Sequence, residues 1–200
     1  TRRSSDLGGK YNQKNYSVSS GTFGIGSSVV NFCSSFFNVV VKRDGRVFQQ
    51  KFERGIPVTD VEIIGQTEYD ENNNEITGTE IYYKPDPEIF QQTLQPSNEV
   101  RSRLIELAAL NSGLTINYIN DLTQSNETFY YENGITNYIN EIVKDKKLLF
   151  DTPIYIKDIE KINDKSIQCE ITFIIDDELE SSSSIRSFVN NINTYMGGTH

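Results

Sequence analysis

The sequence predicts an α+β fold, an antiparallel-rich sheet accompanied by amphipathic helices, and three observations carry that prediction. Two β-branched and aromatic runs, Phe36 to Arg43 and Arg46 to Glu53, meet across Asp44-Gly45, a dipeptide favoured in two-residue hairpin turns. Further strand-like runs, Val61 to Gly65 and Gly78 to Lys84, follow with the polar loop Asn72-Asn73-Asn74 between them. Helical spacing of apolar residues before and after this block supplies the α component.

Residues 1 to 20 are rich in Ser, Gly, Asn and Lys and read as a loop running into the glycine turn Gly21-Thr22-Phe23-Gly24-Ile25-Gly26. From Ile25 onward Val29, Phe32, Cys33 and Phe36 recur at helical spacing. The glycines therefore sit where backbone N–H groups and the positive end of a helix dipole point outward. After the hairpin and its companion strands, Pro85 and Pro87 stop the sheet. Between Ser97 and Asn111 the residues Val100, Leu104, Leu107, Ala108 and Leu110 line one helix face, and Gly113 ends the segment. Strands at Leu114 to Asn120 and Thr128 to Tyr131 and a helix from about Ile135 to Lys144 come next. The charged break Lys144-Asp145-Lys146-Lys147 reads as a domain boundary. Beyond it Pro153 to Ile159, Ile167 to Ile175 and Ile185 to Asn190 read as strands of a second unit, with Ser181 to Ser184 as a turn or loop.

Composition narrows the function. The 200 residues carry a net charge of -9, against a dedicated DNA-binding module, whose phosphate contacts need clustered Lys and Arg. No apolar run is long enough for a membrane-spanning helix, and an intracellular setting is expected. Cys33 and Cys169 have no partners at metal-binding spacing and are expected to be core thiols rather than ligands. The single methionine is Met196, and the chain is expected to be a fragment.

The glycine turn lacks the Gly-Lys-Ser/Thr ending of a Walker A loop and the strand context of a dinucleotide fingerprint. Alone it serves plain turn chemistry as readily as phosphate binding. Gly8-Gly9-Lys10 lies shortly upstream and offers a cation and unhindered amides to the same phosphates.

Three blocks in order, Gly8-Gly9-Lys10-Tyr11, Tyr16-Ser17-Val18-Ser19 and Gly24-Ile25-Gly26-Ser27-Ser28-Val29-Val30-Asn31, resemble the ATP-lid region of the DNA gyrase B family. The resemblance continues through Arg43-Asp44-Gly45, Phe52-Glu53-Arg54-Gly55, Gly78-Thr79, Pro85-Asp86-Pro87, Arg103 to Ala108 and Tyr131-Glu132-Asn133-Gly134. It ends in Asn190 to Thr194 and Gly197-Gly198-Thr199-His200. It covers essentially the whole chain after the first several residues.

This resemblance implies an α/β sandwich of the GHKL ATPase type, with helices on one face of an antiparallel-rich sheet and ATP beneath a lid. Residues 1–146 would be the C-terminal portion of the ATPase domain, and 147–200 the incomplete beginning of a transducer domain. The implied ATP-binding residues are Gly9 and Lys10 at the phosphates, Tyr16 on the purine side, and Gly21, Thr22, Phe23, Gly24, Ile25 and Gly26 around the triphosphate. Thr79 would help recognise adenine, and Arg43 would stand at the pocket rim, where the family's arginine is known for inhibitor contacts. Read without the family, Thr79 is an ordinary strand threonine and Arg43 a surface charge beside a hairpin.

The match also departs from the family pattern. Ser20, Thr22 and Phe23 replace a glycine and a Leu-His pair, which leaves backbone contacts possible but removes an imidazole and stiffens the lid. Thr1 to Leu7 do not follow the pattern, and Met196 replaces an acidic residue. The family's catalytic glutamate and magnesium-binding asparagine belong upstream of anything in this chain, so no catalytic residue and no metal ligand is assigned within it. Glu53, Glu80 and Glu106 are carboxylates that nothing in the sequence places near a nucleotide.

The implied activity is that of the ATPase subunit of a type II DNA topoisomerase. ATP and Mg2+ are its cofactors; double-stranded DNA, the gyrase A subunit and a second copy of itself are its partners. A bacterial cytoplasm is the expected location, with a plastid or other organelle as the alternative. The rival readings are the corresponding ATPase subunit of topoisomerase IV and a GHKL nucleotide-binding module without turnover.

Overall fold

The structure, a computed structural model, describes residues 24–93, 97–162, 165–177 and 185–194. They belong to two compact units, Thr1–Leu94 and Gln95–His200.

The first unit begins with α1 (Gly26–Phe32), which ends before Phe36, the residue that opens the strand-like run. Phe36 lies in β1 (Ser34–Arg43), as the strand-like run from Phe36 to Arg43 predicts. The hydroxyl of Ser34 donates to the carbonyl of Val30 at 2.6 Å, and the aromatic and β-branched run that follows prefers the pleated surface. The face of α1 expected to be buried is also rearranged. Asn31 is buried while Val29 and Phe32 are exposed, Phe32 lying over Gly55.

Hairpin β1–β2 (Arg46–Glu53) forms as predicted, with Arg43 opposite Arg46 and both Asp44 and Gly45 at positive φ. A second two-residue turn, Arg54-Gly55, again at positive φ, leads into β3 (Ile56–Pro57). Strand β4 (Glu62–Gln66) pairs with the same edge of β2 nearer its start, and β5 (Gly78–Pro85) pairs antiparallel with the other edge of β1. The order is β3-β2-β1-β5. Phe37, Val40 and Phe52 are the buried apolar residues of the sheet, and the rings of Phe37 and Phe52 meet edge to face at 6.2 Å.

The lower end of this sheet is tied by an ion pair. Asp86, just past β5, is 1% exposed and accepts bonds from Arg54 Nε at 2.5 Å, Arg54 Nη2 at 3.3 Å and the Glu88 N–H at 3.0 Å. The Glu88 N–H first, then the Arg54 guanidinium, hold the Asp86 carboxyl below its ordinary range.

The second unit contains α2 (Ser97–Leu110), the hairpin β6 (Ile116–Asn120) and β7 (Ser125–Phe129), α3 (Ile135–Val143), and the hairpin β8 (Ile154–Ile162) and β9 (Lys165–Phe173). Ala108, Ala109, Phe129 and Val143 are the buried apolar residues among those of this unit that are described. Arg101 makes a two-pronged pair with Glu127 and lies over the ring of Phe129. The strand expected over Ile185 to Asn190 is a short hairpin, β10 (Phe188–Val189) and β11 (Ile192–Asn193), because Asn190 and Asn191 both take positive φ and turn the chain. Its turn is held against α2, where Arg103 donates to the carbonyl of Asn191 and Asn191 Nδ2 donates to Asn111 Oδ1 at 3.2 Å. Cys169 is exposed on β9 rather than in a core, and Cys33 is half-buried. The expected ATPase-to-transducer boundary at 146/147 falls inside the second unit, between α3 and the β8–β9 hairpin.

Candidate functional site

The upper end of the first sheet is open. Val41 pairs with Thr79 across β1 and β5, and Arg43 stands two residues further along β1. Side chains alternate along a strand, so Arg43, Val41 and Thr79 share one face. They line an open cleft of about 400 Å3 together with Asp44, Glu75 and Gly78. Two of the residues expected from the sequence, Arg43 and Thr79, are thus brought into one concavity.

The chemistry of this wall is polar and mixed in sign. Arg43 Nε donates to Asp44 Oδ2 at 3.0 Å, and both side chains remain largely in solvent. Such an exposed pair contributes little to stability and leaves the guanidinium face available. Thr79 is exposed, and its hydroxyl has no hydrogen-bond partner among the described residues. Gly78 presents bare backbone, since a Cβ there would meet nothing within 4 Å. A threonine hydroxyl that can donate or accept, a planar cation and open backbone suit a ligand with acceptor atoms and a flat ring.

Glu75 is the wall residue that sequence reasoning missed. Its Oε1 accepts from the Gly45 N–H at 2.6 Å and from Thr67 Oγ1 at 2.8 Å. A carboxylate just upstream of Gly78-Thr79 is the only sequence signal for it.

Of the glycine-turn residues, Gly24, Ile25 and Gly26 are described. Gly24 takes φ +66°, a conformation that favours glycine, Ile25 precedes the first helical residue, and Gly26 opens α1 without a side-chain cap. They do not line the cleft of Arg43 and Thr79. Gly9, Lys10, Tyr16, Gly21, Thr22 and Phe23 lie outside the described residues. Glu53 and Glu80 are exposed strand residues, Glu80 paired opposite Val40 and so on the sheet face away from Thr79. Glu106 pairs with Arg103 at 2.9 Å. Among the described residues no three His, Cys, Asp or Glu side chains converge as metal ligands. No helix of the described residues is long and apolar enough to cross a membrane.

Comparison with known proteins bears on this geometry. The DNA gyrase B family model matches residues 134–200. The chain is 41% identical over 196 residues to the DNA gyrase B protein of Halalkalibacterium halodurans, covering 96% of this chain and 29% of that protein. The chain thus spans less than a third of the length of the curated relatives it matches. Among solved structures it resembles the 43K ATPase domain of Thermus thermophilus gyrase B in complex with an aminocoumarin. That match has a TM-score of 0.61 and 29% identity over 69% of this chain and 36% of the other. The gyrase B protein of Myxococcus xanthus shares the fold, with a TM-score of 0.68 at 20% identity over 85% of this chain and 46% of that one. The fold is therefore the α+β GHKL type expected from the sequence. With the family model over residues 134–200 and the 41% identity along nearly its whole length, the chain is similar throughout to the DNA gyrase B family.

Proposed function

We propose that this chain forms part of the ATPase subunit of a type II DNA topoisomerase, and that the cleft of Arg43 and Thr79 is the adenine-side wall of its ATP site. The observation that carries the reading is the pairing of Thr79 with Val41, which sets an exposed hydroxyl beside Arg43 in one open cleft. In this reading Thr79 exchanges a hydrogen bond with the purine edge and Arg43 closes the rim beside it. Gly9, Lys10, Gly21, Thr22, Phe23, Gly24, Ile25 and Gly26 enclose the triphosphate through backbone amides and one ammonium, and Tyr16 reaches the purine side. Amides and a cation fixed around accumulating negative charge are how phosphoryl-transfer sites gain much of their stabilisation.

No cluster of three His, Cys, Asp or Glu side chains occurs among the described residues. The ligand asparagine and the general-base glutamate are assigned to protein upstream of this chain, and the roles given to its own residues do not pass through the metal. The division into an ATPase portion, 1–146, and the start of a transducer, 147–200, belongs to the same proposal. So do the partners, which are double-stranded DNA, the gyrase A subunit and a second copy of the gyrase B protein, and the location, a bacterial cytoplasm or an organelle descended from one.

The test is ATP-dependent supercoiling by the full-length protein reconstituted with gyrase A. Thr79→Ala should lower kcat/KM for ATP about 5-fold to 10-fold, the loss of roughly one hydrogen bond of 1–1.4 kcal/mol. The 200-residue chain alone should show no turnover. Turnover by this chain at the rate of the full-length protein would overturn the assignment of the missing groups.

A further inference from the structure

Glu75 is a half-buried carboxylate thirty residues from its partner Gly45, and its surroundings are built rather than loose. Gly45 is gripped at both ends: its N–H donates to Glu75 Oε1 at 2.6 Å and its carbonyl accepts the Thr67 N–H at 3.3 Å. Thr67 is itself buried and donates its hydroxyl to the same Glu75 oxygen at 2.8 Å.

The segment between these two residues folds back on itself. Tyr69 and Glu75 form an antiparallel bridge, and the Ile76 N–H donates to the Glu68 carbonyl at 2.8 Å. At the tip, Asp70 Oδ1 accepts the N–H groups of Asn72 and Asn74, and its Oδ2 accepts Asn74 Nδ2. The Asn74 bonds hold the Asp70 carboxyl below its ordinary range. An ordered loop therefore presents Glu75 to the Asp44-Gly45 turn.

That turn needs holding. Asp44 and Gly45 take φ of +54° and +74°, and for the non-glycine Asp44 this is an uncommon conformation. Arg43 immediately precedes the turn, and the only side-chain bond of its guanidinium among the described residues is to the exposed Asp44. What fixes the base of Arg43 is thus the turn, and what fixes the turn from outside the hairpin is Glu75 with Thr67.

We propose that Glu75 is a positioning residue of the cleft: by pinning the Asp44-Gly45 turn it sets where the Arg43 guanidinium stands relative to Thr79. It thereby tunes binding of ligands that reach past the purine to the rim with a planar, acceptor-bearing group. The inference rests on reading the cleft as the adenine-side wall of an ATP site. A charge-assisted bond from the Gly45 N–H is among the stronger single tethers open to a turn. Gln can replace its geometry, because an amide oxygen accepts from the same two donors.

The experiment uses the full-length protein and two probes, an aminocoumarin and a non-hydrolysable ATP analogue with magnesium, with Kd measured by calorimetry and Tm by scanning calorimetry. Glu75→Ala should weaken the aminocoumarin about 10-fold, and Glu75→Gln should remain within about twofold of the unmodified protein. In an Arg43→Ala background Glu75→Ala should add less than about twofold, because the residue acts through Arg43. Thr67→Val, which keeps the carboxylate and removes one donor, should weaken the aminocoumarin about threefold and carries the test if Glu75→Ala does not fold.

Unchanged aminocoumarin affinity in both Glu75→Ala and Thr67→Val, or a full Glu75→Ala loss that persists without Arg43, overturns the positioning role while leaving the ATP-site reading intact. Failure of the unmodified protein to bind either probe overturns the ATP-site reading, and the positioning role with it.

Discussion

Strand β1 runs between two ends of one sheet that are built in opposite ways. At its start Ser34 is 1% exposed, Phe37 is buried against Phe52, and the nearby Asp86 carboxylate is buried and satisfied by Arg54 and a backbone N–H. At its end Arg43 and Asp44 stand in solvent and Thr79 offers a hydroxyl without a partner among the described residues. The difference separates two kinds of polar group. A buried polar group has to find its partners within the fold, whereas an exposed one at a cleft can keep its bonding capacity for a ligand. The lower end is therefore read as holding the fold, and the upper end as meeting a ligand.

The sharpest way to break this contrast is at the buried end. Asp86→Ala removes the acceptor of the Glu88 N–H and the buried partner of Arg54, whose guanidinium keeps only the exposed Glu88 carboxylate at 2.8 Å, and should lower the Tm of the first unit by several degrees, measured by scanning calorimetry. The same carboxylate gives a pH signature. Its pKa is depressed in the folded protein, so its stabilisation is present above the ordinary aspartate range and is lost as pH falls through the lowered folded value. The Tm difference between the unmodified protein and Asp86→Asn should therefore be largest near neutrality and shrink in acid.

A smaller effect is expected at Gly55. Its φ is +81°, and an added Cβ would lie 2.0 Å from Phe32 Cδ1. The Phe32 ring is exposed and can swing away, so Gly55→Ala should destabilise by about 1–2 kcal/mol in urea unfolding, chiefly from backbone strain. The smallest stability effects belong to the open end. Arg43→Ala and Thr79→Ala should stay within about 0.5 kcal/mol of the unmodified protein in the same measurement, as exposed surface changes do. A large loss there would erase the distinction between the two ends.

Much of this arrangement is legible in the sequence where the signal is local. Asp44-Gly45 between two strand-like runs specifies a hairpin and its register, and the polar Asn72 to Asn74 stretch specifies a loop. Arg43 and Thr79 are found through family resemblance, since an exposed arginine and a strand threonine carry no message by themselves. What stays hidden is the long-range pairing of polar groups. The blocks Phe52 to Gly55 and Pro85 to Pro87 are visible as motifs, yet nothing in them says that Arg54 and Asp86 bond across 32 residues. Glu75 is hidden for the same reason, because its partner is a backbone N–H 30 residues away. At Phe36 the helical spacing and the strand-like run overlap, since apolar spacing in a short run cannot distinguish a helix face from the first residues of a strand, and Phe36 belongs to the strand.

The most direct test of the division between the two ends is the affinity of the full-length protein for a non-hydrolysable ATP analogue, measured by calorimetry beside Tm for the unmodified protein and Thr79→Ala. A ligand-facing upper end predicts an affinity about 5-fold to 10-fold weaker at an unchanged Tm. Equal affinity, or a loss of affinity accompanied by a comparable loss of stability, would contradict it.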